Sequence, residues 1–397
     1  MEIYRWLVCL FTLCVIFSQQ ILVIPLIYGY RKNESPVLFF IVVFSLSLLI
    51  LFRDLYRKNN YRTKTVLAVA VVILFLYILT PLLFVDTTPA YTSFLLQYIA
   101  ISIPSLILGC HMAISRDLDK IDVMLPFFLL FFGASFIPIA IETSFLTKLA
   151  NSDDQGLNYQ SLSYFLVDIS IYSAYCILFS SLKKLKFFRF FRWVMLFLAI
   201  VSTVCTFLPG GRGALIVLFV SIIFNLFFYA RYSKLKVVVI ILVSILLSSY
   251  FISYFDVTES LGFARSSSSL FDITNRARGY SLSLKAIFDS PIIGNGLGSV
   301  GIILGGYSHN IFLDLLLEVG LVGTILVTYM IIKTFTNLII LSKVNSSHFF
   351  FFLLFLRSFV YSLFSGYWLI ICPFWFVFGY VYSRRRIVLS NHKIKIL

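Results

Sequence analysis

Apolar residues run along this chain in unbroken blocks of about 17 to 25, the length at which an α-helix crosses the hydrocarbon of a bilayer, and the polar residues collect between the blocks. In lipid every backbone N–H and C=O must find a partner inside the protein. Blocks this long, without period-two alternation, imply helices and not a β-barrel. Spans are expected near 6–28, 36–52, 66–85, 94–112, 121–141, 161–182, 190–208, 213–230, 235–252, 309–332, 349–364 and 367–382. The expected fold is all-α, a polytopic membrane helix bundle of about twelve spans. Residues 1–252 hold the first nine helices, 253–308 form one large extracytoplasmic loop, and 309–397 hold the last three helices and a basic cytoplasmic tail.

Composition agrees. With 60% hydrophobic and only 12% charged residues among 397, and a mean hydropathy of +0.98, there is too little polar surface to cover a soluble globule of this size. The first block is followed by no small-residue cleavage site, so a retained first helix is expected and not a removed signal peptide. Cys9, Cys14, Cys110, Cys176, Cys205 and Cys372 all fall inside spans and form no C-x-x-C pair, which reads as buried small hydrophobes and not as disulfides or a zinc site.

The distribution of charge sets an orientation. With the N-terminus inside, most of the 32 Lys and Arg residues face the cytoplasm, in the loops around Arg53 to Lys64, Lys183 to Arg192 and Arg231 to Lys236, and in the tail from Arg384. The net charge of +15 is then orientation signal and attraction to anionic inner-leaflet lipid. No nucleic-acid partner is expected, because no soluble segment interleaves basic residues with exposed aromatics. Topology does not explain the cations left outside, which include Arg212, Arg276, Arg278 and Lys285.

The long loop carries the chemistry. A serine-rich turn at Ser266 to Ser269 leads through Asn275-Arg276-Ala277-Arg278 into an amphipathic stretch, Tyr280 to Phe288, whose Leu282, Leu284, Ile287 and Phe288 could lie on the membrane surface or on the bundle. Asp289-Ser290-Pro291 ends that stretch, and glycine-rich backbone from Gly294 to Gly306 leads to Ser308-His309-Asn310. At about 100° per residue, Gly320 and Gly323 return to the face of His309, while Asn310, Asp314 and Glu318 recur every four residues as a polar ridge. Glu318 and Arg357 both fall deep within spans, where an unpaired charge costs at least about 2.5–3.5 kcal/mol. They are expected to pair, with Asp314 or Asp168 as competing partners.

Each motif has a plainer reading. Gly296-Leu297-Gly298-Ser299-Val300-Gly301 matches a dinucleotide-binding string, but no strand precedes it and it faces outward, so glycines folding a loop onto the bundle explain it better. Asp117-Leu118-Asp119 resembles a metal-holding acidic pair, but a lone pair flanked by Arg116 and Lys120 in a short loop is better explained as a solvated connector. Arg212, in Pro209-Gly210-Gly211-Arg212-Gly213, is either a cation snorkelling to headgroups or an anion site at a helix start. Arg276 and Arg278 are ordinary loop cations or a guanidinium pair suited to a diphosphate. His309 is a helix-start residue or a base that titrates near neutral pH.

The pattern His309-Asn310, nine residues, then Gly320-x-x-Gly323, with Glu318 between, resembles the histidine motif of the O-antigen ligase and polysaccharide polymerase superfamily of bacterial envelope enzymes. Arg276 to Tyr280, Lys285-Ala286 and Pro291-Ile292-Ile293-Gly294-x-Gly296 resemble its Arg–aromatic–Pro–Gly pattern, with Tyr280 where tryptophan is common. Gly211-Arg212-Gly213-Ala214 resembles its outward arginine turn, with glycine where serine often precedes the arginine. The resemblance implies a metal-independent glycosyltransferase without a cofactor, at the outer face of the bacterial cytoplasmic membrane, with both termini cytoplasmic. Its donor would be an oligosaccharide on a polyprenyl diphosphate. Arg212 and Arg276 would hold the diphosphate as catalytic residues, with Arg278, Asn310 and Glu318 also binding substrate, His309 as the base on the acceptor hydroxyl, and Gly320, Gly323 and Arg357 in structural roles. The glycine run and the short loop look more like a repeat-unit polymerase, whose acceptor is a second lipid-linked oligosaccharide and whose partners would be membrane lipids and a chain-length regulator protein. A ligase, passing the chain to lipid A core, is the alternative within the superfamily. A flippase for lipid-linked oligosaccharides is the alternative outside it, though no internal repeat is visible.

Overall fold

The computed structural model describes residues 2–27, 42–50, 53, 61–83, 88–115, 117–141, 159–178, 188–208, 212–230 and 273–393. Among them there is no strand. In chain order the helices are α1 (Glu2–Ile16), α2 (Ser18–Ile27), α3 (42–50), α4 (Tyr61–Leu79), α5 (Pro89–Ser115, π-helical at Tyr98–Ser102), α6 (Leu118–Ile141), α7 (Tyr159–Leu178), α8 (Phe188–Cys205), α9 (Arg212–Ala230), α10 (Ile273–Asp289), α11 (Ser299–Leu304), α12 (Ile311–Val344), α13 (His348–Phe364) and α14 (Cys372–Lys393).

Four of the described helices, Pro89–Ser115, Leu118–Ile141, Gln160–Leu178 and Ile311–Val344, are long and apolar enough to cross a membrane. The first predicted span is instead a bent pair, Glu2–Ile16 and Ser18–Ile24, at 77°. Shorter apolar helices, Lys64–Leu79, Phe190–Cys205, Gly213–Phe228 and His348–Phe364, stand where further spans are expected. The protein is thus an integral membrane protein made of helices. The expected span 235–252 and the part of the loop over 253–272 lie outside the described residues. The rest of that loop is ordered backbone: α10, a glycine-rich turn and α11.

Two compact units divide the chain: Met1–Leu13, Phe17–Glu34 and Leu118–Phe271 form one, and Cys14–Ile16, Ser35–Asp117 and Asp272–Leu397 the other. In the first, Phe17 packs on Phe132 and Tyr172 with ring centroids 5.4 and 5.7 Å apart. Two acids buried within it each accept from a neutral side chain. Gln20 Nε2 donates to Asp168 Oδ2 at 2.7 Å, and Tyr175 Oη to Asp122 Oδ1 at 2.7 Å, which supplies the hydrogen bonds that lipid cannot.

In the second unit, α5 and α14 cross backbone to backbone. A Cβ on Gly109 would strike the Phe376 carbonyl, and one on Gly379 the Leu106 carbonyl, the close approach that small residues permit between membrane helices. Ser102 Oγ donates to the Leu369 carbonyl at 2.7 Å, and Cys372 Sγ lies 2.8 Å from both Ser105 Oγ and the Val15 carbonyl. These bonds fix the connection between α13 and α14. They thereby place Tyr367 and Trp368 against α12.

Candidate functional site

The site is built around a break in α12. Gly320 has φ 61° and ψ −167°, a conformation essentially reserved to glycine, and it interrupts the helical hydrogen bonding. In an unbroken helix Leu321 N would bond to Leu317 O, and Val322 N to Glu318 O. Here all four groups turn to the incoming loop. Leu321 N donates to Pro291 O at 2.9 Å and Val322 N to Ile292 O at 3.2 Å, while Leu317 O accepts from Asn295 N and Glu318 O from Gly296 N, both at 2.8 Å. Asn295 Nδ2 adds bonds to Ala286 O and Leu317 O at 3.0 and 3.1 Å, tying the end of α10 to the same point. The proline-to-glycine run thus supplies two acceptors and two donors for the groups that the break frees.

The polar ridge does the same work one level up at each step. Asn310 Oδ1 caps α12, accepting from Phe312 N at 3.0 Å and Leu313 N at 3.5 Å. Asp314 Oδ1 accepts from Ser308 N at 2.9 Å. Glu318, fully buried, accepts from Gly298 N at 2.9 Å and Tyr367 Oη at 2.5 Å on Oε1, and from Trp368 Nε1 at 3.2 Å on Oε2.

The expected Glu318–Arg357 ion pair is therefore corrected. Three neutral donors converge on the carboxyl group, and the guanidinium of the buried Arg357 lies 4.9 Å from the Tyr361 ring. Of the competing partners, Asp314 accepts from Ser308 N. Glu318→Ala would strand three buried donors, each at about 1–3 kcal/mol. Glu318→Gln keeps one carbonyl acceptor but turns an NH₂ toward Trp368, and is expected to fall between alanine and wild type in thermal unfolding in detergent. Combined with Arg357→Ala the losses should add. A coupling above about 0.5 kcal/mol would restore the ion pair.

His309 is half-buried and precedes the helix. Its φ of 62° makes it the non-glycine residue with positive φ among those described. Extrapolating a helical face from His309 to Gly320 and Gly323 is thus overturned at both ends, since His309 is not in the helix and Gly320 breaks it. The imidazole is held from the side by Tyr307, ring centroids 4.5 Å apart and edge-on, and Tyr307 Oη donates to Ser365 O at 2.6 Å. Ser308 Oγ bonds to the Asn310 backbone on both sides, at 3.1 and 3.2 Å. Gly323 sits one turn below the break, where a Cβ would meet the Val319 side chain.

The glycine string takes its plainer reading. Gly298 packs on the Tyr77 ring, Gly296 on Thr80 and Gly301 on the Tyr91 backbone, so side chains would collide with α4, the turn that follows it, or α5. Tyr77 and Tyr91 bond to each other's carbonyls beneath this contact. Thr88 Oγ1 reaches Gly301 O at 2.6 Å.

The arginines are brought in to different degrees. Arg276 and Arg278 lie on α10, which packs against α11 and α12, with Arg278 exposed. The Arg276 side chain is outside the described residues; Arg212 begins α9 in the other unit, and its side chain is likewise outside them. Asp117 and Asp119 stand at the head of α6, a favourable place for acids whatever else they do. Among the described residues no group of three or more His, Cys, Asp or Glu side chains converges as a metal site.

An arginine-bearing helix, a docked glycine run and a histidine fixed at the head of a broken helix thus lie along one stretch of chain. Residues 195–328 match the family model for O-antigen ligase. The match covers less than half of the chain but takes in Arg212, Arg276, the glycine run, His309, Gly320 and Gly323. It supports a membrane glycosyltransferase of the ligase or polymerase type. No curated protein matches the chain. Tyr307, Tyr367 and Trp368 are site residues that sequence reasoning did not single out for the O-antigen ligase-like segment. The last two lie beyond its end. The available signal was that Tyr and Trp set among apolar residues must partner their polar handle.

Proposed function

We propose that this protein is a repeat-unit polymerase, joining oligosaccharides carried on polyprenyl diphosphate at the outer face of the cytoplasmic membrane. The observation that carries the reading is the fixation of His309, held by the Asn310 cap, the Asp314–Ser308 bond and the Tyr307 ring, in the same segment similar to O-antigen ligases that bears Arg276 and Arg278. The acceptor sugar's hydroxyl oxygen bonds to the anomeric carbon of the donor as the bond from that carbon to the diphosphate breaks. The hydroxyl proton passes to His309, and the diphosphate leaves with the electron pair. Guanidinium groups of Arg212 and Arg276, with Arg278 as a secondary candidate, would hold the growing negative charge in place. Arg212 reaches this chemistry in the proposal only. Active-site side, termini in the cytoplasm and the full set of about twelve spans belong to the same reading.

What favours a polymerase is the economy of the described loop. From α10 to His309 the backbone is taken up in docking on α4, α5 and α12, which leaves no separate acceptor domain among the described residues. The description of the matching family, O-antigen ligase, favours the second reading, transfer to lipid A core. Gel analysis of envelope polysaccharide after gene deletion separates them. Lipid A core or carrier bearing a single repeat is the expected result. Full-length chains left on the lipid carrier would establish a ligase, and repeats stalled on the cytoplasmic side a flippase.

A further inference from the structure

The length of α12 raises a question of height. Below its break the 24 residues from Leu321 to Val344 by themselves extend to about 36 Å at 1.5 Å per residue, already beyond the roughly 30 Å hydrocarbon core of a bilayer. Exposure shows which part meets lipid. From Leu321 onward the helix presents Leu321, Val322, Ile325, Leu326 and Tyr329 to the outside, whereas before Gly320 only Phe312 is exposed among its large apolar residues, and less so. Below the break the sequence is interrupted by charge only at Lys333 and Lys343.

At the level of the break, and hydrogen-bonded to it, the loop carries an apolar tip of its own. Phe288 is 80% exposed, Ile292 62% and Ile293 76%. Ile292 O accepts from Val322 N and Pro291 O from Leu321 N, so the tip continues directly into the lipid-facing side of α12. Away from the tip, α10 exposes Lys285, Ser281 and Arg278 together with the less exposed Leu282 and Leu284, and Asp289 adjoins the tip. An exposed apolar tip below a cationic helix, its backbone carbonyls and amides satisfied, is the arrangement that an interfacial membrane anchor requires.

We infer that Phe288, Ile292 and Ile293 insert into the acyl boundary of the bilayer and set the membrane surface at the level of Gly320. The half of α12 above the break, Ile311 to Val319, then stands clear of the hydrocarbon. Its buried Asp314 and Glu318 lie in protein at headgroup height and not deep in lipid. His309 precedes the end of that half farthest from the break. The anchor stands on its own observations and does not rest on the proposed transferase activity.

Nitroxide labels at Phe288→Cys and Ile293→Cys, in a full-length parent with its native cysteines replaced by alanine, would test it in phosphatidylethanolamine–phosphatidylglycerol nanodiscs. Leu326→Cys serves as the lipid reference and Ser281→Cys as the aqueous one. The expected result is collision with oxygen exceeding collision with a water-soluble nickel chelate at least threefold at 288 and 293, as at 326, with the reverse at 281. Nickel-dominated collision at 288 and 293 would overturn the anchor. Protection from both reagents would overturn the lipid occupant, showing the tip covered by a second copy or by residues 231–272. Labels report depth whether or not the protein transfers sugar, so either failure leaves the enzymatic reading to its own test.

Discussion

Gly320→Ala is expected to prevent recovery of folded protein, seen as loss of the monodisperse peak in detergent size-exclusion chromatography. Two costs combine. The backbone at φ 61° and ψ −167° strains any residue with a Cβ by about 1–3 kcal/mol. That Cβ would also collide with the Ile292 carbonyl and the Gly294 amide, pushing out the loop that satisfies the break. Once the loop leaves, Leu317 O, Glu318 O, Leu321 N and Val322 N lose their partners together, at about 1–3 kcal/mol for each group that stays buried. Gly305→Ala is the control, because Gly305 also has positive φ, 66°, but faces open space. It is expected to cost only the roughly 1–2 kcal/mol of the left-handed conformation. Equal behaviour of the two variants would show that loop docking is not what Gly320 provides.

His309→Asn should lower polymer formation by about 10²–10⁴-fold while leaving the thermal midpoint close to wild type. Asparagine is the informative choice because it visits the left-handed region readily, so the φ of 62° is kept while the base is lost. His309→Ala removes the base and adds backbone strain, and is expected to lose the same activity together with some stability. Radiolabelled chain extension on purified lipid-linked repeat units measures the first effect and scanning fluorimetry the second. Near-normal extension by the asparagine variant would remove His309 from the chemistry and leave it a structural residue at the head of α12.

Much of this architecture was legible from local pattern. Block length gave the membrane class, and Asp289-Ser290-Pro291 gave the end of α10, which stops at Asp289. Rejection of the Gly296 to Gly301 string as a nucleotide site followed from its missing strand, and those glycines do pack against Thr80, Tyr77 and Tyr91. The spacing of Asn310, Asp314 and Glu318 marked a ridge, and all three residues take hydrogen bonds there. Their partners were not legible. Charge complementarity nominated Arg357 for Glu318, yet hydroxyl and indole donors from Tyr367 and Trp368 fill the position, because the α5–α14 crossing carries that segment onto α12. The helical-face argument for His309, Gly320 and Gly323 failed because angular extrapolation assumes an uninterrupted hydrogen-bond ladder.

The amino-acid order alone determined that this chain lives in a membrane, that helices form where apolar blocks permit, and that residues 308–323 combine polar and small side chains in a way unlike a lipid-facing helix. Those properties depend on hydropathy and near-neighbour geometry, which are written locally. The tertiary structure decided that α12 breaks at Gly320, that residues 291–296 complete its hydrogen bonding, and that Glu318 binds neutral donors. These outcomes depend on which distant backbone returns to fill a vacant donor or acceptor, and only the packed chain specifies that.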